Sequence, residues 1–356
     1  MLLVIACPCA LVLSTPVAIV SALAAAARGG ILIKGGAYLE RAAAIDTIAF
    51  DKTGTLTLGR PEVTAVVPLN GASADELLAT AASIERYSEH ALGQAIVRAA
   101  RVRELPLGQA AGVLSVTGVG LTAMYDGTAY RIGSRRIFDG AALPEVATSA
   151  IDEIERAGGT AVLLGRDEQI EGVIGLLDVP RPETQAALAE LHRAGVTRLV
   201  MLSGDRMAAA EQIAAQLGLD EVRAELLPAQ KLDAIAELKR EGGVVAMVGD
   251  GVNDAPALAA ADLGIAMGVA GTDAALETAD IALMGDDLRG LARVIALGKR
   301  AKRVIAANIA VSLGVKALFL ALALGGFATL WMAIFADVGT ALIVIANSLR
   351  LFRGRA

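Results

Sequence analysis

Two stretches of the chain are almost purely apolar, and they bracket a long middle in which apolar and polar positions alternate. Residues 1–27 carry no charged side chain, and residues 304–349 carry only Lys316 and Asp337. A helix that crosses a bilayer needs about 20 apolar residues. The first stretch therefore predicts one span, 1–27, and the second predicts two, 304–324 and 327–349, broken at Gly325-Gly326. Between Arg28 and Arg303, short apolar runs at Ile48–Phe50, Val173–Leu177, Arg198–Leu202, Val244–Val248 and Ile281–Leu283 read as buried strands. Glu183–Arg193, Ala208–Gln216 and Gln230–Arg240 carry helical periodicity between them. Strands alternating with helices predict a doubly wound parallel α/β sheet. Residues from about 60 to 168 break that rhythm with a helical stretch, Ala74–Arg103, and then strand-like runs punctuated by Gly118, Gly120, Gly127 and Gly133. They are expected to form an inserted α+β domain, dividing the sheet domain into 28–59 and 169–303.

The apolar share, 55% of 356 residues, exceeds that of an ordinary soluble domain and agrees with membrane spans. A net charge of −6 lacks the basic excess of a nucleic-acid binder, so no nucleic-acid partner is expected. Basic residues cluster beside the spans: Arg28 and Lys34, then Lys299, Arg300, Lys302 and Arg303, then Arg350, Arg353 and Arg355. The positive-inside rule puts all three clusters, and with them the soluble middle, in the cytosol. The expectation is a multi-pass protein of the plasma (inner) membrane, with the lipid bilayer as a partner. The first stretch has no basic leading segment and is longer than the apolar run of a cleaved signal peptide.

The chemistry gathers after the first strand of the middle, in Asp51-Lys52-Thr53-Gly54-Thr55-Leu56-Thr57. An aspartate at the carboxyl end of a parallel strand lies where open α/β sheets bind ligands. There it is placed to attack phosphorus and form an aspartyl-phosphate. The string resembles the phosphorylation motif of P-type ATPases, which share the haloacid-dehalogenase-like fold. Related phosphatases carry a second aspartate two positions on; Thr53 stands there, which implies slower hydrolysis of the phosphoenzyme. Ser203-Gly204-Asp205 follows a strand, where hydroxyl and backbone N–H groups suit a phosphate oxygen. The resemblance further implies that Lys231, in Leu227-Pro228-Ala229-Gln230-Lys231, offsets charge on the transferring phosphoryl group. In Gly249-Asp250-Gly251-Val252-Asn253-Asp254-Ala255-Pro256 it implies that Asp250 and Asp254 hold Mg²⁺ together with Asp51 and Thr53, oxygen ligands of the kind this ion prefers. Asp178 and Arg181 resemble a further Asp/Arg pair of the family.

Within the insert, Ser88-Glu89-His90-Ala91-Leu92 resembles the Ser-Glu-His-Pro-Leu signature of the heavy-metal branch. That resemblance implies that His90 orients ATP, that Glu85 contacts the adenine, and that Gly118 and Gly120 admit the nucleotide close to the backbone. Ala91 replaces the usual proline, and Ser134 stands where some members have asparagine.

Both cysteines of the chain lie in Cys7-Pro8-Cys9, inside the first span. Residues two apart on a helix face apart. Proline distorts the helix and can turn both thiols to one point, and thiolates suit soft or borderline cations such as Cu(I) and zinc. The triplet resembles the ion-site motif of heavy-metal P-type ATPases. An ionisable residue inside a span is costly and usually functional. Lys316 and Asp337 resemble the branch that exports Zn²⁺, Cd²⁺ and Pb²⁺, which implies Cys7, Cys9 and Asp337 around a divalent ion, with Lys316 as counter-charge. A copper(I) pump and a transport-incompetent ATP-binding fragment remain as alternatives. The chain contains no Thr-Gly-Glu, the actuator loop of the family. It is therefore expected to be the C-terminal portion of a longer pump, without its upstream spans and actuator domain, and not transport-competent alone.

Overall fold

The computed structural model describes residues 9–88, 90–116, 119–138, 143–167, 169–205, 207–250, 254–267 and 277–353. A seven-stranded sheet forms from β1 (Ile31–Ile33), β2 (Ile45–Asp51), β9 (Arg198–Leu202), β10 (Glu221–Arg223), β11 (Val244–Gly249), β12 (Leu263–Ala266) and β13 (Ile281–Leu283). Their order is β1-β13-β12-β11-β2-β9-β10, and every pairing is parallel except β1 with β13. The central strands are buried on both faces, as a parallel sheet covered by helices requires. Ile48 and Phe50 face one core with Leu199, Met201, Ala246 and Val248, whereas Ala49 faces the other with Val200, Leu202, Val245 and Met247. That alternation is the period of two along a strand. Helices α6 (Thr184–Arg193) and α7 (Met207–Leu217) cover the first face, and α8 (Pro228–Arg240) and α9 (Ala255–Ala260) cover the second.

The insert is a six-stranded antiparallel sheet made of β3 (Thr57–Pro68), β4 (Ala110–Val116), β5 (Gly120–Tyr125), β6 (Thr128–Gly133), β7 (Thr160–Arg166) and β8 (Gln169–Pro180), in the order β3-β8-β7-β6-β5-β4. Here the strand expected at Val173–Leu177 departs from the sequence reading. It lies within β8, paired antiparallel with β3 and β7, so the insert's sheet runs on to Pro180 rather than stopping at 168. An apolar run of five residues fits either sheet equally, and only pairing decides between them. The helical stretch expected over Ala74–Arg103 is two helices, α3 (Ala74–Glu85) and α4 (Ala91–Val102). Ser73 caps the first, accepting from Glu76 N at 3.2 Å while Glu76 Oε2 accepts from Ser73 N at 2.8 Å. His90 caps the second, its Nδ1 accepting from Leu92 N at 3.3 Å. Both helices bury Leu78, Ile84 and Ile96 against one face of the sheet, and α5 (Glu145–Arg156) buries Ile151 and Ile154 against the other.

Among the described residues, three helices are long and apolar enough to cross a membrane: α1 (Cys9–Arg28), α10 (Arg289–Leu324) and α11 (Leu330–Arg353), packed against one another. The turn between α10 and α11 is closed by Phe327 N donating to Leu322 O at 2.8 Å, with Gly326 at φ +76°, the left-handed geometry that ends many helices. α10 starts well before its span. Its first turns bury Leu291, Val294, Ile295 and Ala301 in the core beneath the parallel sheet, and its later turns continue into the apolar segment. At 1.5 Å per residue this rod of 36 residues is about 54 Å long. Asn308 ties it to α11: its Nδ2 donates to Ser348 Oγ at 2.9 Å, and its Oδ1 accepts from Asn347 Nδ2 at 2.8 Å.

Candidate active site

Asp51 ends β2 at the carboxyl edge of the parallel sheet, where β9 and β11 also deliver their loops. The chain then turns sharply through Lys52–Leu56, with Gly54 at φ +77°, a conformation open to glycine. Lys231, from the first turn of α8, reaches across and donates to Asp51 Oδ1 at 2.5 Å and to Asp254 Oδ1 at 2.8 Å. All three side chains are almost wholly buried. Asp250 stands close by: a methyl group added at Gly54 would lie 3.6 Å from its Oδ2. Burial, followed by the charges of Asp254 and Asp250, pushes the Asp51 carboxyl up to about 6 against the pull of Lys231. Burial disfavours the Lys231 ammonium too, but the carboxylates of Asp51 and Asp254 outweigh it and raise its pKa. Two carboxylates thus share one ammonium, with Asp250 beside the Gly54 turn; oxygen groups of this kind are those that Mg²⁺ takes.

Two other segments complete the edge. Ser203 is buried after β9, and its Oγ accepts from Asp205 N at 3.1 Å. Asp205 pairs with Lys52 Nζ at 2.7 Å. Thr53 is exposed on the turn. The turn itself is pinned from the end of β8. Arg181 donates through Nε to Thr55 O at 3.1 Å and through Nη2 to Gly54 O at 2.9 Å. Asp178 accepts from Thr57 Oγ1 at 2.5 Å and from Arg60 N at 3.1 Å.

In the insert, Glu85, Ser88, His90, Gly120 and Gly133 line a pocket of ≈ 270 Å³. Glu85 is buried at the end of α3, and burial raises its pKa despite a hydrogen bond from Ser88. Gly93 makes room for it, since a Cβ there would sit 2.2 Å from Glu85 Oε2. Gly120 and Gly133 lie back to back on paired strands; a Cβ on the first would meet Ile132 O at 2.1 Å, and on the second Val119 O at 2.2 Å. Ser134, Thr160 and Ala161 line both this pocket and a neighbouring cleft of ≈ 550 Å³, whose far wall carries Gly204 and Asp205. The two cavities thus share part of one wall, and the second reaches the edge of the parallel sheet. Gly118 lies outside the described residues.

Between the spans, Lys316 of α10 and Asp337 of α11 line one cavity of ≈ 20 Å³ with Ala10, Ser312, Ala333 and Thr340. Ala10 contributes α1, so three helices meet there. Cys9, half-buried, neighbours that wall without being among its lining residues. Cys7 lies outside the described residues, and among those described no three His, Cys, Asp or Glu are grouped closely enough to hold a metal ion by themselves.

Residues 45–262, more than half of the chain, match the haloacid dehalogenase-like hydrolases. The chain belongs to that family. Within it, the chain is homologous along 99% of its length to metal-transporting P-type ATPases. It is 45% identical to a probable cadmium-transporting ATPase of Staphylococcus aureus (strain MRSA252), covering 49% of that protein. It is 48% identical to a zinc/cadmium/lead-transporting P-type ATPase of Escherichia coli (strain K12), covering 47% of it. Among solved structures it resembles a zinc-transporting PIB-type ATPase in its E2.Pi state, with a TM-score of 0.89 and 47% identity, over 98% of this chain and 57% of that one. The chain spans about half the length of the curated relatives it matches.

Two features of this haloacid dehalogenase-like site went beyond the sequence reading. Lys52 was not singled out, yet it is buried and holds Asp205 in place. Asp178 and Arg181 prove to be the clamp on the turn after Asp51, and Thr184 joins them by donating to Leu56 O at 3.0 Å. Their separation of more than 100 residues from that turn leaves no local pattern to read; only the pairing of β3 with β8 brings them together.

Proposed function

We propose that this chain is the phosphorylated, nucleotide-binding and ion-binding part of an ATP-driven exporter of divalent heavy-metal cations: Zn²⁺, Cd²⁺ and Pb²⁺. In this reading the protein is a multi-pass protein of the plasma membrane, with both sheets in the cytosol beside the basic span ends. ATP enters the insert's pocket with its adenine against Glu85 and His90, over the backbone of Gly118 and Gly120. Its phosphates cross the cleft towards Ser203, Gly204 and Asp205. Asp51 then attacks the γ-phosphorus: a carboxylate O–P bond forms, the bond to the β-bridging oxygen breaks, and ADP leaves. Lys231 offsets charge on the moving phosphoryl group. Asp250 and Asp254, with Asp51 and the Thr53 position, suit Mg²⁺, which when bound neutralises charge on the phosphoryl oxygens. Thr53 cannot act as the acid–base group that an aspartate would supply there, which favours a lasting aspartyl-phosphate.

The observation that carries the cargo assignment is the placing of Lys316 and Asp337, from two different helices, on one small cavity beside α1. Cys7 and Cys9 would add sulfur, and a carboxylate beside thiolates balances a divalent ion better than Cu⁺. Lys316 neutralises Asp337 once the ion has left. The test is metal-dependent ATP hydrolysis by the reconstituted protein at the full length of its relatives. Zn²⁺, Cd²⁺ and Pb²⁺ should stimulate the wild type, and Asp337→Ala should lose that stimulation while still binding ATP. Activation by Cu⁺ alone, or an unchanged zinc response in Asp337→Ala, overturns the assignment.

A further inference from the structure

The cavity between the spans contains a polar group that the ion site described above leaves unused. Ser312 stands four residues before Lys316 on α10, so both project from the same face of that helix. It lines the cavity, is 0% exposed, and its Oγ has no hydrogen-bond partner among the described residues. A hydroxyl on a membrane helix ordinarily finds relief by donating to the carbonyl four residues back. Two hydroxyls on α11 do so: Thr340 Oγ1 donates to Ala336 O at 2.6 Å, and Ser348 Oγ donates to Val344 O at 2.8 Å. Ser312 does not take this option, although leaving a buried hydroxyl unpaired is costly. Its oxygen is kept for the cavity. The cavity, at ≈ 20 Å³, exceeds the roughly 10–15 Å³ that one water-sized guest needs. Ser312 and Asp337 both line this one small cavity.

We propose that Ser312 Oγ is a neutral oxygen donor to the transported cation and sets selectivity among divalent metals; this rests on the ion-site reading above. A hydroxyl is a harder ligand than a thiolate, and it adds no charge to a site that already holds a carboxylate. It shifts the preference towards Zn²⁺ and away from the softer Cd²⁺. It also helps to fill the commonly four-fold shell of zinc.

The experiment measures Zn²⁺ and Cd²⁺ dissociation constants of the 356-residue chain in lipid nanodiscs, by competition with a chromophoric chelator. Ser312→Ala should weaken Zn²⁺ binding by about tenfold, the scale of a lost bond to a charged partner, and Cd²⁺ binding much less. Ser312→Cys should reverse the order of preference in favour of Cd²⁺. Ser14→Ala is the control, because Ser14 is also buried with an unpartnered hydroxyl but lies outside the cavity lining; it should match wild type. Unchanged Zn²⁺/Cd²⁺ ratios in both Ser312 variants, with binding lost in Asp337→Ala, overturn the role of Ser312 alone. Full binding by Asp337→Ala overturns the ion site itself, and the inference with it.

Discussion

The two sheets solve the problem of placing functional groups in opposite ways. In the parallel sheet, strands that run the same way bring Asp51, Ser203 and the loop after β11 to one edge, and short ion pairs through Lys231 and Lys52 lock them. Charge makes that site. In the antiparallel insert, no ion pair among the described residues defines the pocket; its shape comes from what is missing, the side chains of Gly93, Gly120 and Gly133. One region is built to react and the other to admit. Electrostatic strain should therefore mark the first, and steric intolerance the second.

The largest effect expected from this contrast is at Asp51. Asp51→Asn should lower the acid-stable, hydroxylamine-labile phosphoenzyme by at least about a thousandfold, because an amide is a poor nucleophile. Undiminished labelling from radioactive ATP would move the nucleophile elsewhere. The same variant sharpens the electrostatic side. Asp51 titrates near 6 in the folded protein against 3.8 for an ordinary aspartate. The unfolded chain thus ionises first as pH rises, and the folded state loses stability between those two values, with the full loss present above about 6. Asp51→Asn should therefore raise the melting temperature at pH 7 and leave it unchanged below pH 3.8; an equal shift at both pH values would contradict this. Phosphoenzyme formation in wild type, which needs the ionised carboxylate, should fall as pH drops through about 6.

Steric intolerance predicts the next effect. Gly133→Ala forces a methyl group to within 2.2 Å of Val119 O, a backbone atom with nowhere to retreat. It should destabilise the insert by about 1–3 kcal/mol and abolish nucleotide binding while leaving the parallel sheet folded. Calorimetric titration with ATP, together with hydrogen exchange of β5 and β6, checks both halves. Wild-type affinity would show that the pocket does not depend on this close approach. The smallest effect falls on His90, an exposed residue at the mouth of the same pocket. His90→Gln should weaken ATP by about tenfold, the value of one good hydrogen bond to a charged group. Equal affinities would remove His90 from the site.

How far the sequence could be read follows the same division. Strands at Arg198–Leu202 and Ile281–Leu283 emerge with the bounds their apolar runs suggest, because a doubly buried strand carries its own signature. Asp51, Lys231 and Asp254 stand out in three separate motifs of the sequence, and the fold brings their side chains together. Glu85, His90 and Gly120 likewise meet in one pocket. β10, only Glu221–Arg223, was missed: it is half-buried and holds two charged residues, so no apolar pattern betrays it. β8 pairs in the antiparallel sheet rather than the parallel one its apolar run suggests, since Val173–Leu176 is buried on both faces there just as a parallel strand would be. The helical stretch at Ala74–Arg103 hid a break because Arg86–His90 contains neither glycine nor proline. There the cap on His90, not a helix breaker, divides the two helices.

The insert leaves and rejoins the parallel domain on neighbouring strands, with Pro61 opposite Asp178. Adjacent strands lie about 4.8 Å apart, a gap that a two-residue hairpin closes. In engineering terms the antiparallel insert is a cartridge plugged into a turn. Replacing residues 62–177 by Asn-Gly would leave Arg60, Asp178 and Arg181, and so the grip on the loop after Asp51, where they are. The crossing strands fix where the insert enters and leaves, while its helix α5 also packs on α7 of the host, so the module is held at two places.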